Sequence, residues 1–329
     1  MTDPTDEEWR RLFSAASAFR ALRPWEKMAD DEIFGIVDPA SGEIGWCAVI
    51  GALGESLGLV VNMGDAGLLA YDLLHKGSDA MRVGSALRGF LFMFVDRKEL
   101  GQRDLVPIRA LGLAFRGRQA WPCFRSLRPG YAAWHIDGEE ARYFATALEQ
   151  AAVVCARVGT GLDLRRDPGS LLVRGPAGAG WEERWVPRPL APPLEPLEPK
   201  LDRERVERIA LRCRRSDECW ECGQFVLPAE APDGEGRPFF PAAFLIVEAS
   251  GLVLNAGVDG PPFPLEFVQG EFLGTIEKLG VLPRQVAVAG DRVRRAIAPA
   301  AARLGVKLAM PGALPAFDDA RASLEQHVG

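Results

Sequence analysis

Trp9, Leu12, Phe13, Ala16 and Phe19 recur every three or four positions behind Asp3, Pro4 and Thr5, which predicts an amphipathic helix with its start signal in place. The period then changes. Ile33 to Val37 reads as a strand closed by the turn Asp38-Pro39-Ala40-Ser41-Gly42. Ile44, Trp46, Ala48 and Ile50 alternate with smaller or more polar residues, as do Leu57, Leu59 and Val61 after a glycine-rich turn. Strands joined so tightly predict an antiparallel meander. Helices are expected near Leu68 to Leu74, Leu105 to Phe115 and Glu139 to Val158, and a further strand over Gly89 to Val95. A hairpin over Ser170 to Val173 and Trp181 to Val186 closes this half, which reads as α+β.

Six prolines between Pro187 and Pro199 interrupt the pattern. Proline lacks the amide donor that helices and sheets need, so this stretch is expected to be an extended, semi-rigid connector. The division is therefore an α+β domain over 1–186, a linker over 187–200 and a second domain over 201–329. Beyond the linker, a helix near Arg203 to Arg212 precedes strands at Glu221 to Leu227, Ala242 to Glu248 and Leu252 to Val258. Helix, strand, helix, strand and helix follow, at Pro264 to Leu279, Gln285 to Ala289, Asp291 to Leu304, Val306 to Met310 and Ala316 to His327. The order β-β-β-α-β-α-β-α implies an α/β mixed sheet with helices on its faces.

Composition narrows the functional classes. With 329 residues, 48% hydrophobic and 26% charged, the chain has enough apolar residues for a core in each half. The net charge of -6 divides evenly between the halves, so neither offers the basic field that a nucleic-acid backbone attracts. Arginine outnumbers lysine more than fivefold, which lowers the weight of any local arginine cluster. The acidic start Met1 to Glu8 lacks the basic and apolar regions of a secretory signal, and no apolar run is long enough for a membrane span. Six cysteines scattered over this length do not form a disulfide scaffold, and a reducing cytoplasmic setting is expected.

Two resemblances are carried by particular residues. The order after the linker is similar to the ribonuclease H-like fold. Its local text resembles an integrase core in Trp220, in Phe244 to Leu254, in Pro283 to Asp291 and in Leu304 to Leu308. The whole chain resembles an uncharacterised two-domain bacterial family of unknown function, through Arg23-Pro24-Trp25-Glu26-Lys27-Met28, Leu111-Gly112-Leu113-Ala114-Phe115-Arg116-Gly117 and Trp121-Pro122-Cys123-Phe124-Arg125-Ser126. The first resemblance implies a two-metal phosphoryl-transfer site built from carboxylates. Asp291 matches its fourth-strand position, and Asp318, Asp319 or Glu325 could supply the acid of the last helix. The first strand has Gly223 and Gln224 where a central aspartate belongs, and Asp291 is also suited to capping its own helix. A degenerate, non-catalytic copy is the favoured reading.

Other constellations are local. Cys213, Cys219 and Cys222 include a Cys-x-x-Cys spacing that can chelate zinc, but no fourth ligand lies nearby, and buried thiols are the simpler reading. Gly54-Glu55-Ser56-Leu57-Gly58 has the spacing of a hydrolase elbow, yet sits in a hairpin turn rather than between strand and helix. Arg116, Arg118, Trp121 and Arg125 form the densest polar and aromatic group, suited to a carboxylate or phosphate, with a solvated loop as the alternative. No cofactor motif is present, so none is expected. The chain is read as a non-catalytic interaction or ligand-binding protein, with a protein partner or small anionic ligand and without membrane or nucleic acid. The competing class is a divalent-metal-dependent nuclease or transposase relative.

Overall fold

A computed structural model describes residues 2–75, 87–189 and 199–328. Most of the proline-rich connector, 190–198, therefore lies outside the described residues, while Pro187 belongs to the preceding strand. The chain divides into two compact units, Met1–Pro129 with Ala133–Pro192, and Gly130–Ala132 with Pro193–Gly329.

Helix α1 (Asp6–Leu22) opens the first unit. Thr5 and Glu8 form a reciprocal cap, and Asp6, Glu7 and Glu8 face the positive end of the helix dipole. Its buried stripe of Leu12, Phe13, Ala16 and Phe19 follows the predicted spacing. Strands β1 (Phe34–Val37), β2 (Ile44–Ile50) and β3 (Leu57–Met63) form the expected meander, followed by α2 (Gly64–His75) and β4 (Gly89–Val95). Next come α3 (Gln102–Ala110), β5 (Trp121–Leu127), α4 (Gly138–Val158), β6 (Ser170–Ala177) and β7 (Gly180–Pro187). The sheet order is β5-β4-β3-β2-β1-β6-β7. Every neighbouring pair is antiparallel except β1 and β6, so this sheet is mixed.

Two expectations change here. Helix α3 begins earlier than the apolar pattern suggests and stops at Ala110, because Gly112 takes up a left-handed conformation (φ 65°). Trp121 and Arg125, for which a solvated loop was the alternative to a ligand site, lie instead on the edge strand β5. An edge tolerates Pro122, whose missing amide removes no ladder bond needed on both sides.

Helices α1 and α4 pack over one sheet face around Phe34, Leu59, Phe92, Phe124, Phe144 and Leu148. Helix α2 covers Trp46, Ala48 and Val173 with Leu68 and Tyr71 on the other face. Burying apolar area on both faces fixes the register, since a one-residue slip would exchange them.

In the second unit, α5 (Arg203–Arg212) precedes β8 (Cys219–Val226), β9 (Ala242–Glu248) and β10 (Val253–Asp259). Helix α6 (Leu265–Leu279), β11 (Gln285–Ala289), α7 (Asp291–Leu304), β12 (Lys307–Ala309) and α8 (Pro315–Val328) complete it. The sheet order is β10-β9-β8-β11-β12, with β9 antiparallel to both neighbours, β11 parallel to β8, and β12 parallel to β11. Trp220, Cys222, Phe244, Phe272, Ile276 and Ile297 form the core beneath α5, α6 and α7. Phe225, Leu245, Val247 and Phe317 fill the face covered by α8. Overall the chain has α and β elements with mixed sheets.

Candidate functional site

A cleft of about 670 Å³ belongs to the first unit. The β1–β2 turn, the start of β4, the end of β5 and the first turns of α4 border it. Met63, Phe90 and Tyr143 give it an apolar floor. The Tyr143 hydroxyl donates to the Ile36 carbonyl at 2.9 Å, and burial pushes its pKa well above the usual tyrosine value. Gly45 is required below it, since a Cβ there would collide with the Tyr143 hydroxyl.

The rim is ionic, and each guanidinium has a carboxylate partner. Arg88 donates two hydrogen bonds to Glu43, at 2.8 and 2.9 Å. Arg128 donates to Glu140 at 3.1 Å and lies 3.6 Å from Asp137. Arg11 holds Glu149 and Thr146, and Arg142 holds Glu8 at 2.6 Å. Glu140 also accepts from the Ser126 hydroxyl (2.7 Å) and, as part of the α4 capping box, from the Asp137 amide (3.0 Å). Asp38 accepts from the Ser41 hydroxyl and the Ala40 amide, which shapes the β1–β2 turn. The Arg88 side chain is 54% exposed, so its pair faces solvent and can exchange partners.

A smaller slot of about 360 Å³ lies between α1, α3 and β5. Its walls include Trp9, Phe13 and Phe124, whose rings contact one another at 5.5 to 6.2 Å. Asp104 and His135 are its polar lining groups, together with Arg103, Asp3 and Asp6 at the chain's start. Asp104 accepts two bonds from Arg125, at 2.6 and 2.9 Å, and one from the Gly101 amide. His135 Nδ1 approaches it at 3.4 Å. Burial alone would raise the Asp104 pKa; the hydrogen bonds from His135 and Arg125 outweigh it and hold the carboxyl well below its ordinary range.

The four candidates near Arg116 are only partly gathered. Arg116 and Arg118 are exposed on the loop before β5. Trp121 and Arg125 lie four residues apart on that strand, about 13 Å at the usual rise. Arg125 is engaged by Asp104, while Arg97 sits over the Trp121 ring at 5.7 Å. Glu43, Arg88, Asp104, His135, Glu140 and Tyr143 escape the sequence reading. The legible signal was local: Asp137 and Glu140 have the spacing of a capping box before an apolar run.

The cysteines do not converge. In β8, residues three apart point to opposite faces, so Cys219 and Cys222 cannot close on one ion while the strand holds. Cys222 is fully buried, and burial drives its thiol pKa upward. Cys219 lies within 3.5 Å of Arg284, and the Cys213 thiol faces the Ile276 carbonyl. Among the described residues, no group of three or more His, Cys, Asp and Glu is arranged to hold a metal ion.

The acids are locally engaged. Gly290, rather than Asp291, caps α7; Asp291 is the first helical residue and pairs with Arg294 (2.6 Å) and Arg295 (2.5 Å). The bond from Arg294 leads the effects that lower its pKa. Asp318 accepts from the Leu314 amide at 3.4 Å, Glu325 pairs with Arg321 at 2.8 Å, and Asp319 is exposed. Ser56 stands in the turn joining β2 and β3.

Two mixed sheets with helices, one of them bordered by an ionic cleft, define an α+β protein of two compact units. Residues 9–174, about half of the chain, match the family model described as Domain of unknown function (DUF7309), and the chain belongs to that family. Residues 205–325 match a second model, Domain of unknown function (DUF6930), so the end-to-end likeness read from the sequence is met by two successive family domains. No curated protein matches the chain. No helix among the described residues is long and apolar enough to cross a membrane.

Proposed function

We propose that the chain is a non-catalytic binding protein whose ligand is a small polar molecule of mixed charge, held in the large cleft of the first unit. The observation that carries this reading is the set of pre-formed arginine–carboxylate pairs above a floor of Met63, Phe90 and Tyr143. A lone anion would have to draw an arginine from its partner and leave a carboxylate behind. A zwitterion can exchange into a pair and satisfy both sides. Four arginines and five carboxylates line the cleft, which also argues against a simple anion.

The reading takes 1–186 as one domain, 187–200 as a linker and 201–329 as a ribonuclease H-like domain without catalysis. The second unit's strand order and directions support that fold. Gly223 supports the loss of chemistry, because it occupies the middle of the first strand directly beneath the Phe317 ring. The test is calorimetry with dipeptides, acetate and alkylamines. Saturable dipeptide binding, weakened about tenfold by Glu43→Gln and by Arg88→Met, is expected from loss of one charged contact. Equal binding of acetate alone, or dipeptide binding indifferent to both substitutions, would overturn the reading.

A further inference from the structure

The slot between α1, α3 and β5 has features that the large cleft lacks. Its aromatic wall of Trp9, Phe13 and Phe124 is built from two elements, and Phe13 and Phe124 are nearly fully buried. Such a wall favours a flat ring, which can stack or meet the rings edge-on. The volume of about 360 Å³ falls within the range of small-molecule pockets.

The polar groups are unequally available. Both Asp104 oxygens are engaged: Arg125 reaches each, and the Gly101 amide and His135 share the remaining positions. Asp104 is therefore a poor direct ligand. It acts on the imidazole instead, because a carboxylate beside Nδ1 favours the tautomer with the proton on that nitrogen. With the proton on Nδ1, Nε2 is left as an acceptor, and among the described residues it has no hydrogen-bond partner. The side chain is 22% exposed and lines the slot. The slot is also lined by Asp3, Asp6 and Asp104; Arg103 donates to Asp3 at 3.0 Å and Arg125 to Asp104, which leaves Asp6 as the excess carboxylate. This surplus of negative charge disfavours an anionic substituent.

We infer that this slot is a second binding site, for a small uncharged aromatic alcohol whose ring contacts Trp9, Phe13 and Phe124 and whose hydroxyl donates to His135 Nε2. The site shares no lining residue with the large cleft, so it stands or falls separately from the mixed-charge ligand proposed there.

The probes are 4-ethylphenol, ethylbenzene and 4-hydroxybenzoate, added to the full chain and followed by calorimetry. The phenol should bind about fivefold more tightly than the hydrocarbon, the value of one ordinary hydrogen bond, and the benzoate should bind more weakly than the phenol. His135→Leu should erase the difference between phenol and hydrocarbon. Val106→Trp, at an exposed α3 position bordering the slot, should abolish binding of both while leaving the melting temperature near that of the unaltered protein. In the unaltered protein, the ¹⁵N resonance of His135 Nε2 should move with 4-ethylphenol and hold with ethylbenzene; this readout needs no substitution. Equal affinity for phenol and hydrocarbon, an unmoved Nε2 resonance, tighter binding of the benzoate, binding that survives Val106→Trp, or no binding at all would each overturn the inference.

Discussion

Asp104 is 9% exposed and accepts from Arg125 and the Gly101 amide, so its charge is part of the packing of α3 against β5. Replacing it with Asn keeps the shape but leaves the Arg125 guanidinium half-buried without its counter-charge. A loss of about 3–5 kcal/mol is expected in urea unfolding, typical of breaking a buried pair from one side. The pH dependence has a definite sign. Because the folded-state pKa lies below the unfolded value of about 3.9, the stabilisation is complete above that pH and is lost as the pH falls through the folded pKa. Acid unfolding curves should show this slope, and Asp104→Asn should reduce it. Gly223 is constrained sterically: a Cβ would meet the Phe317 ring and lie 2.8 Å from the Ala289 Cβ. Gly223→Val should cost about 1–3 kcal/mol through overpacking, read by the same denaturation. Sequence singled out Arg125 but not its partner, which is 21 residues away and reached only because α3 folds back on β5. Nothing local to Arg125 encodes that meeting.

Strand period decides the Cys-x-x-Cys question at the scale of an element. Cys222 enters the core beneath α6 and α7, whereas Cys219 lies on the opposite face at the strand's start. Cys222→Ser is therefore expected to cost about 1–3 kcal/mol and Cys219→Ser much less, with elemental analysis showing less than one zinc per chain. Equal costs accompanied by stoichiometric zinc would mean that β8 does not hold both thiols apart. The helices were legible because caps and apolar stripes coincide, as in α1, where Thr5→Ala should remove about 1 kcal/mol of stability by thermal unfolding. Strand β5 was not, for a physical reason. Pro122 and two flanking arginine-rich stretches read as loop, and the alternation is hidden because Pro122, Cys123, Phe124 and Ser126 are all buried. Its place at the sheet edge, which makes the proline tolerable, is a property of the fold rather than of the segment.

At the scale of the whole molecule, the residues of the large cleft come from α1, the β1–β2 turn, the end of β3, β4, β5 and α4. They are spread from Arg11 to Thr146 and meet only when the sheet and helices assemble, which is why a cleft lined by nine charged residues left so little trace in the sequence pattern. The second unit presents the converse case. Its β-β-β-α-β-α-β-α order was readable from periodicity, yet order alone does not supply chemistry. Two-metal phosphoryl transfer needs fixed carboxylates around both cations. Asp291 is held by Arg294 and Arg295, Asp318 by its own helix start and Glu325 by Arg321. Glu221, the acid on β8, accepts from the Phe317 amide at 2.8 Å and so secures α8 to the sheet. Purified protein incubated with single- and double-stranded DNA, RNA and RNA–DNA hybrid, each with Mg²⁺ or Mn²⁺, should therefore cleave none of them. Cleavage that disappears in Asp291→Ala, with the melting temperature retained, would mean that these arginines release the carboxylate to a metal and that the second unit is catalytic. Cleavage that survives Asp291→Ala and elutes apart from the protein on a sizing column would belong to a contaminant and leave the prediction standing.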